Sequence, residues 1–184
     1  LRQQVRPESR IGTWIINGGT ASNVIPATGE LEVTVRHTER DYLNGLSEQI
    51  KKIFEGAALC TGTTVDVEFY GNPYDDMNQN HRGTHLIEEV MTDMGLDFEP
   101  GPADIGGSSD IGNVSYQCAA FHPKLRLAGP DKVCHAKEFA DAMLEPTIEQ
   151  TILDGANIIG GTLLRLVENP TILEEIVAEF NATK

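Results

Sequence analysis

Histidine and cysteine spacing is the first guide to possible metal or nucleophile chemistry. His81 and His85 stand four residues apart in a stretch of helical periodicity, a spacing that lets two imidazoles share a metal. The intervening Arg82-Gly83-Thr84 lacks the glutamate that a zinc-protease helix uses as general base, so the pair reads as two surface residues, with a His81/His85 metal site as a weaker third option. His122, before Pro123 in an apolar stretch, reads as a satisfied core residue. Cys60, Cys118 and Cys134 are odd in number, far apart and without a Cys-x-x-Cys pair, which argues against a disulfide framework or a thiolate zinc knuckle and predicts buried free thiols. Cys134 adjoins His135, but adjacency alone does not activate a thiol, and packing is the expected role.

Two loops carry further polar chemistry. In Asn17-Gly18-Gly19-Thr20-Ala21-Ser22-Asn23-Val24-Ile25-Pro26, Asn23 has an amide that suits a substrate carboxylate or a developing oxyanion, or else it is a turn former beside Gly18 and Gly19. Arg36 has the planar fork that holds a carboxylate through two hydrogen bonds, or is a solvated strand arginine. In Gly107-Ser108-Ser109-Asp110-Ile111-Gly112-Asn113, backbone N–H groups with Ser108, Ser109 and Asn113 suit a substrate floor, or the stretch is an ordinary connection.

The elements that must position these groups follow from periodicity. Ile11 to Asn17 is apolar and β-branched before Asn17-Gly18-Gly19, and Glu30 to Arg36 alternates Leu31, Val33 and Val35 against Glu32, Thr34 and Arg36; both read as strands. Thr38-Glu39-Arg40-Asp41 resembles a capping box ahead of a helix with Tyr42, Leu43, Leu46, Ile50, Ile53, Phe54 and Ala57 on one face, stopped by Gly62. Thr64 to Tyr70 alternates again and predicts a third strand, while Leu1 to Val5 before Pro7 reads as the tail of a helix. Strand, strand, helix, strand resembles a ferredoxin-like layer lacking one strand and one helix at its N-terminal side, so the chain is expected to begin within a domain.

Gly71 to Asp76 marks a boundary, giving expected domains of 1–72 and 73–184. The second is predicted to hold a helix over Met77 to Met94, short strands at Val114 to Cys118 and Phe121 to Ala128, and a helix just after His135. A long helix should start at Pro146 and bury Ile148, Ile152, Ala156, Ile159, Leu163 and Leu166 or Val167. The last helix should bury Ile172, Leu173, Ile176, Val177 and Phe180. Gly155, Gly160 and Gly161 imply close packing.

With 184 residues, 40% of them hydrophobic, the chain can bury a substantial core. Its 14 Lys and Arg face 28 Asp and Glu, a net charge of -14 that opposes phosphate neutralisation and so nonspecific nucleic-acid binding. No apolar run has the length of a membrane span and Leu1 to Arg10 has no signal-peptide core, so the expectation is a cytoplasmic protein without nucleic-acid or membrane partners.

The Asn17 to Pro26 loop followed by a strand ending Val35-Arg36 resembles the lid domain of the family-twenty metallopeptidases, the aminoacylase and carboxypeptidase type amidohydrolases. Gly107-Ser108-Ser109-Asp110-Ile111-Gly112-Asn113-Val114-Ser115 is similar to a loop of their aminobenzoyl-glutamate utilisation branch, and His135-Ala136-Lys137-Glu138-Phe139 resembles the family's C-terminal histidine segment. The resemblance implies a partial ferredoxin-like lid and dimerisation domain followed by the C-terminal portion of a zinc-peptidase-like catalytic domain, an α+β to α/β chain. It implies a substrate role for Asn23, Arg36, Ser108, Ser109 and Asn113, and His135 as ligand of zinc or another divalent metal. In such enzymes two metals hold a hydroxide and polarise an amide carbonyl of an acyl-amino acid or dipeptide while a glutamate moves the proton. The remaining ligands and that glutamate belong to the family's N-terminal part, which nothing here resembles; Asp110 is then structural. The chain departs from the pattern at Ala136, where Thr or Ser is usual, at Cys134, and at Arg10-Ile11-Gly12-Thr13, which has no lid histidine. The expectation is an inactive fragment without catalytic residues, in which a metal need not be bound, homodimeric through the lid sheet or paired with the missing N-terminal half. The alternative is a noncatalytic homo-oligomeric assembly module.

Overall fold

The structure is a computed structural model that describes residues 1–100, 107–127, 132 and 134–183. It is mixed α/β, with a two-stranded antiparallel sheet and six α-helices among the described residues, and divides into two compact units, Leu1–Asp76 and Met77–Lys184.

In the first unit, β1 (Arg10–Asn17) pairs antiparallel with β2 (Glu30–Arg36). Ile11 lies opposite Val35 and Thr13 opposite Val33, with a shift in register between Ile15 and Asn17. Val33 and Val35 are half-buried while Thr34 is exposed, the period of two expected where one face meets a helix. That helix is α1 (Arg40–Thr61), which buries Leu46 and Ile50 one turn apart; Ile53 and Ala57, expected on the buried face, are exposed. It stops because Gly62 takes φ 70°, a left-handed geometry costly for a side chain, and its N–H reaches back to the carbonyls of Ala58 and Leu59.

Several local expectations are corrected here. Glu39, not Thr38, is the N-cap, and no side chain caps it; the Nδ1 of His37 instead accepts the Glu39 N–H at 2.9 Å. Leu1 to Val5 holds one 3-10 turn at Arg2–Gln4 rather than the end of an α-helix. Thr64 to Tyr70 joins no ladder among the described residues, because alternation makes a strand only when an edge offers it matching N–H and C=O groups. The Glu32 carboxylate beside Tyr70 holds its phenol above the ordinary pKa.

In the second unit, α2 (His81–Asp93) is the central helix, and α5 (Thr147–Glu168) and α6 (Pro170–Ala182) pack against it. Leu86 is fully enclosed, and Ile87, Met91 and Ile158 form a core cluster with Phe98, Phe121 and Leu125 around it. Close approach explains two glycines. A Cβ on Gly83 would lie 1.8 Å from the Phe121 ring, and one on Gly161 would meet a Val90 methyl at 3.0 Å. Gly160, by contrast, faces open space.

The helix predicted from Met77 begins only at His81, because Asn80 ends the extended segment. Its Oδ1 accepts the Gly83 N–H at 2.9 Å, and its Nδ2 donates to the Ile176 carbonyl at 2.9 Å. The Glu179 carboxylate accepts the His81 and Arg82 N–H groups, each at 2.8 Å, placing negative charge at the positive end of α2. Arg82 pairs with Glu175 at 2.6 Å, and Arg165 on α5 pairs with Asp93 and Glu89 on α2.

Val114 to Cys118 is not a strand. Ile111–Ser115 forms the short α3, and the Gln117 and Cys118 N–H groups turn back onto the Val114 carbonyl, which consumes locally the groups a ladder needs. Residues 121–127 are irregular, with Pro123 lacking a donor, and Ala128 lies outside the described residues. A helix does follow His135, α4 (Lys137–Ala142). The buried face of α5 is Ile148, Ile158 and Thr162, whereas Ile152, Ala156, Ile159, Leu163 and Val167 are exposed; α2 and α6 cover one apolar side of a helix that has two. On α6, Ile176 and Phe180 are buried, Ile172 is half-buried and Leu173 and Val177 are exposed. No helix among the described residues is long and apolar enough to cross a membrane.

Candidate functional site

The Asn17 to Pro26 loop joins β1 to β2 and is organised by Asn17. Its Oδ1 accepts the Gly19 N–H at 3.1 Å and its Nδ2 donates to the Thr28 carbonyl at 3.4 Å. Gly19 sits at φ 100°, and a Cβ there would press on the Pro26 ring at 3.2 Å, so the fold of the loop requires glycine. Asn23 lies on the turn at the far side of this loop and is exposed. Arg36 is also exposed but pairs with Arg10 at the opposite end of the hairpin. The 7 residues of β2 at ~3.3 Å each put about 20 Å between the two ends, so one small substrate does not bridge Asn23 and Arg36 of the same hairpin.

In the second unit, Ser108, Ser109 and Asn113 are brought together by the short run into α3. Ser108 is exposed, and Ser109 and Asn113 are half-buried. Ser109 organises the turn: its Oγ accepts the Ile111 N–H at 3.4 Å and its carbonyl accepts the Gly112 N–H at 3.4 Å. Asp110 is the N-cap residue of α3 and its Oδ1 accepts from the Ser109 hydroxyl at 3.4 Å, the geometry of a turn residue.

His135 precedes α4 and has φ 68°, alone among non-glycine residues described in taking a left-handed backbone. That geometry costs roughly 1–2 kcal/mol for a residue with a Cβ. Its imidazole is exposed. Among the described residues no three His, Cys, Asp or Glu side chains gather so as to hold a metal ion. The described donor set therefore does not by itself fit a zinc or two-metal centre; His135 is one imidazole where a zinc site needs three or four ligands. His81 and His85 are both exposed on α2, and His85 Nδ1 lies 3.2 Å from Glu88. His122 is exposed rather than in the core, and Cys60, Cys118 and Cys134 are all exposed rather than buried, because the segments carrying them lie outside the packed faces.

Sequence reasoning missed the residues that hold these loops. Ser115 is fully buried, and its hydroxyl donates to the Gly112 carbonyl at 2.6 Å while accepting the Asn78 N–H at 2.8 Å. Nothing in its neighbours' types marks it. Asn80 was findable, since Asn is among the residues preferred at the position just before a helix begins. His37 lies 4.2 Å from Tyr42 with the rings tilted, Arg6 lies over the Tyr42 ring at 4.4 Å, and the buried Nε2 of His37 has no hydrogen-bond partner among the described residues.

No family model matches the chain. Curated relatives do. Xaa-Arg dipeptidase of Mus musculus is 31% identical over 183 residues, 98% of this chain and 42% of that protein. N-acetyldiaminopimelate deacetylase of Leuconostoc citreum is 32% identical over 90 residues, 48% of this chain and 23% of that protein. A p-aminobenzoyl-glutamate hydrolase homolog of Haemophilus influenzae is 29% identical over 82 residues, 45% of this chain and 19% of that protein. The chain thus spans 42% of the length of the mouse relative that it matches from end to end. These relatives are all amidohydrolases or peptidases of one kind, and with them the chain belongs to the family-twenty metallopeptidase amidohydrolases.

Proposed function

We propose that this chain is the C-terminal part of a metal-dependent amidohydrolase that cleaves the amide bond of an acyl-amino acid or dipeptide-like substrate, and that it is inactive by itself. In this reading residues 1–72 are a partial ferredoxin-like lid and dimerisation domain and residues 73–184 the C-terminal portion of the catalytic domain. The observation that carries it is the end-to-end match to a dipeptidase of which the chain spans 42%.

The residues divide the work as follows. Ser108, Ser109 and Asn113 offer hydrogen bonds to the substrate, and Asn23 an amide to its carboxylate or to the developing oxyanion. Arg36 holds a substrate carboxylate; since it and Asn23 lie at opposite ends of the hairpin, the two act on different groups or in different copies of the lid. His135 would give one nitrogen to zinc or another divalent cation, which would supply Lewis acidity. The other ligands come from outside this chain, from the missing N-terminal half. The complete enzyme is cytoplasmic and homodimeric through the lid sheet.

Zinc titration of the purified chain tests the assignment. The expected result is no binding at the affinity of a complete three- or four-ligand site, with any weak binding lowered by His135→Ala and unchanged when both His81 and His85 are replaced by Ala. Loss of binding on the His81/His85 replacement alone would overturn it.

One observation favours a second reading, a noncatalytic homo-oligomeric assembly module. The two-stranded sheet has open edges, and Trp14, Ile15, Ile16 and Leu31 are 65%, 62%, 47% and 51% exposed, a surface suited to pairing with a copy. A stable dimer whose mass and stability are indifferent to zinc and to His135→Ala would select this reading over the first.

A further inference from the structure

We propose that Ser115 is the positioning residue of the 107–113 loop, acting as a two-way hydroxyl bridge that fixes how Ser109 and Asn113 are presented. The inference rests on the reading of that loop as the floor for the substrate.

Ser115 is one of two side chains in the described structure with essentially no solvent exposure, and a buried hydroxyl is costly unless both its donor and acceptor capacities are used. Both are. The hydroxyl donates to the Gly112 carbonyl at 2.6 Å and accepts the Asn78 backbone N–H at 2.8 Å. A donation from residue 115 back to 112 closes the single turn of α3 from the side-chain direction, which a helix of 5 residues needs because it is too short to hold itself.

The bridge does not end at Ser115. The side-chain Nδ2 of Asn78 donates to the Ser115 carbonyl at 3.3 Å and to the Thr183 hydroxyl at 2.9 Å, and that hydroxyl donates to the Phe180 carbonyl at 2.8 Å. A segment that leads into the central helix and the last turn of α6 are thus joined through one serine to the carbonyl of Gly112. Asn113 follows that carbonyl directly, and the Gly112 N–H is held by Ser109. The orientation of the Gly112 peptide therefore sets the directions of the two polar side chains on either side of it. Removing the hydroxyl leaves the Asn78 N–H and the Gly112 carbonyl without this partner, and the core cluster of Ile87, Met91 and Ile158 does not include them.

The test uses the full chain, isotopically labelled, as wild type, Ser115→Ala and Thr183→Val. Thr183 is exposed, so its replacement leaves folding intact and keeps the proposal testable if the serine variant folds poorly. In Ser115→Ala, hydrogen exchange at the Asn78 amide is expected to rise ~10-fold, the equivalent of losing one buried hydrogen bond. The Ser109, Gly112 and Asn113 amide resonances should shift or broaden while those of Leu86 and Ile158 stay in place. Thr183→Val should move the same loop resonances in the same direction by a smaller amount. Unchanged loop resonances in both variants, or changes spread evenly over Leu86 and Ile158 as well, would overturn the proposal. Titration of the wild-type chain with N-acetylarginine then separates the underlying reading: no response at Ser108, Ser109 or Asn113 would sink the substrate-floor assignment, while the variant pattern would still decide the positioning role.

Discussion

Gly83 leaves no room for a side chain, since a Cβ would sit 1.8 Å from Phe121, a ring packed against the core cluster and unable to withdraw without opening it. Gly83→Ala is expected to destabilise the second unit by at least ~2–3 kcal/mol despite the better helix propensity of alanine. Urea unfolding followed by far-ultraviolet dichroism measures this, and an unchanged midpoint would show that the ring moves freely. At His135 the opposite holds: the left-handed backbone, not a packed neighbour, sets the cost. His135→Gly should retain the thermal midpoint or raise it slightly, whereas His135→Val should lower stability by about 1–2 kcal/mol, because a β-branched residue is the poorest fit to positive φ. The residue types at the loops were readable in the sequence: Asn23, Ser109 and His135 lie on turns or loops as expected, and Asn113 sits in the short α3 that follows Ser109. Ser115 and Asn78 were not readable, since their importance comes from contacts 37 residues apart in the chain.

At the scale of elements, two side chains, Asn80 and Glu179, hold the N-terminus of α2 through four hydrogen bonds. Asn80 is 3% exposed and bonds both the Gly83 N–H and the Ile176 carbonyl, and Glu179 receives two further N–H groups. Asn80→Ala is expected to cost about 2–3 kcal/mol, a cap plus a buried carbonyl left unpaired, and thermal unfolding reads it. In the first unit, the Glu32 carboxylate on β2 raises the pKa of the Tyr70 phenol. Because the folded-state phenol pKa lies above the unfolded 10.0, the small contribution of this exposed interaction is complete below that pH and is lost as pH rises through the folded value. A pH series of thermal midpoints should show this loss in the wild type, and Tyr70→Phe should remove it. Period-two and period-3.6 patterns located β1, β2, α1, α5 and α6 well, because each packs on one side with turn residues at its ends. They failed for Thr64 to Tyr70, whose alternation found no edge, and for the buried face of α5, whose two apolar sides leave periodicity no means of choosing the covered one.

At the scale of the molecule, Ile152, Leu153, Ile159, Leu163, Leu164 and Val167 are each more than half exposed on α5. A second apolar side of this extent left uncovered is a surface suited to packing against further polypeptide, which agrees with a chain that spans 42% of a dipeptidase relative. The proposed function holds that the polypeptide carries substrate-loop and metal-ligand elements without a catalytic centre of its own. The most direct test is hydrolysis by the purified chain, supplied with excess zinc, of N-acetylarginine and of a dipeptide ending in arginine. The account predicts release of free amino acid no faster than in the zinc-only control; sustained turnover proportional to chain concentration and abolished by a chelator would contradict it.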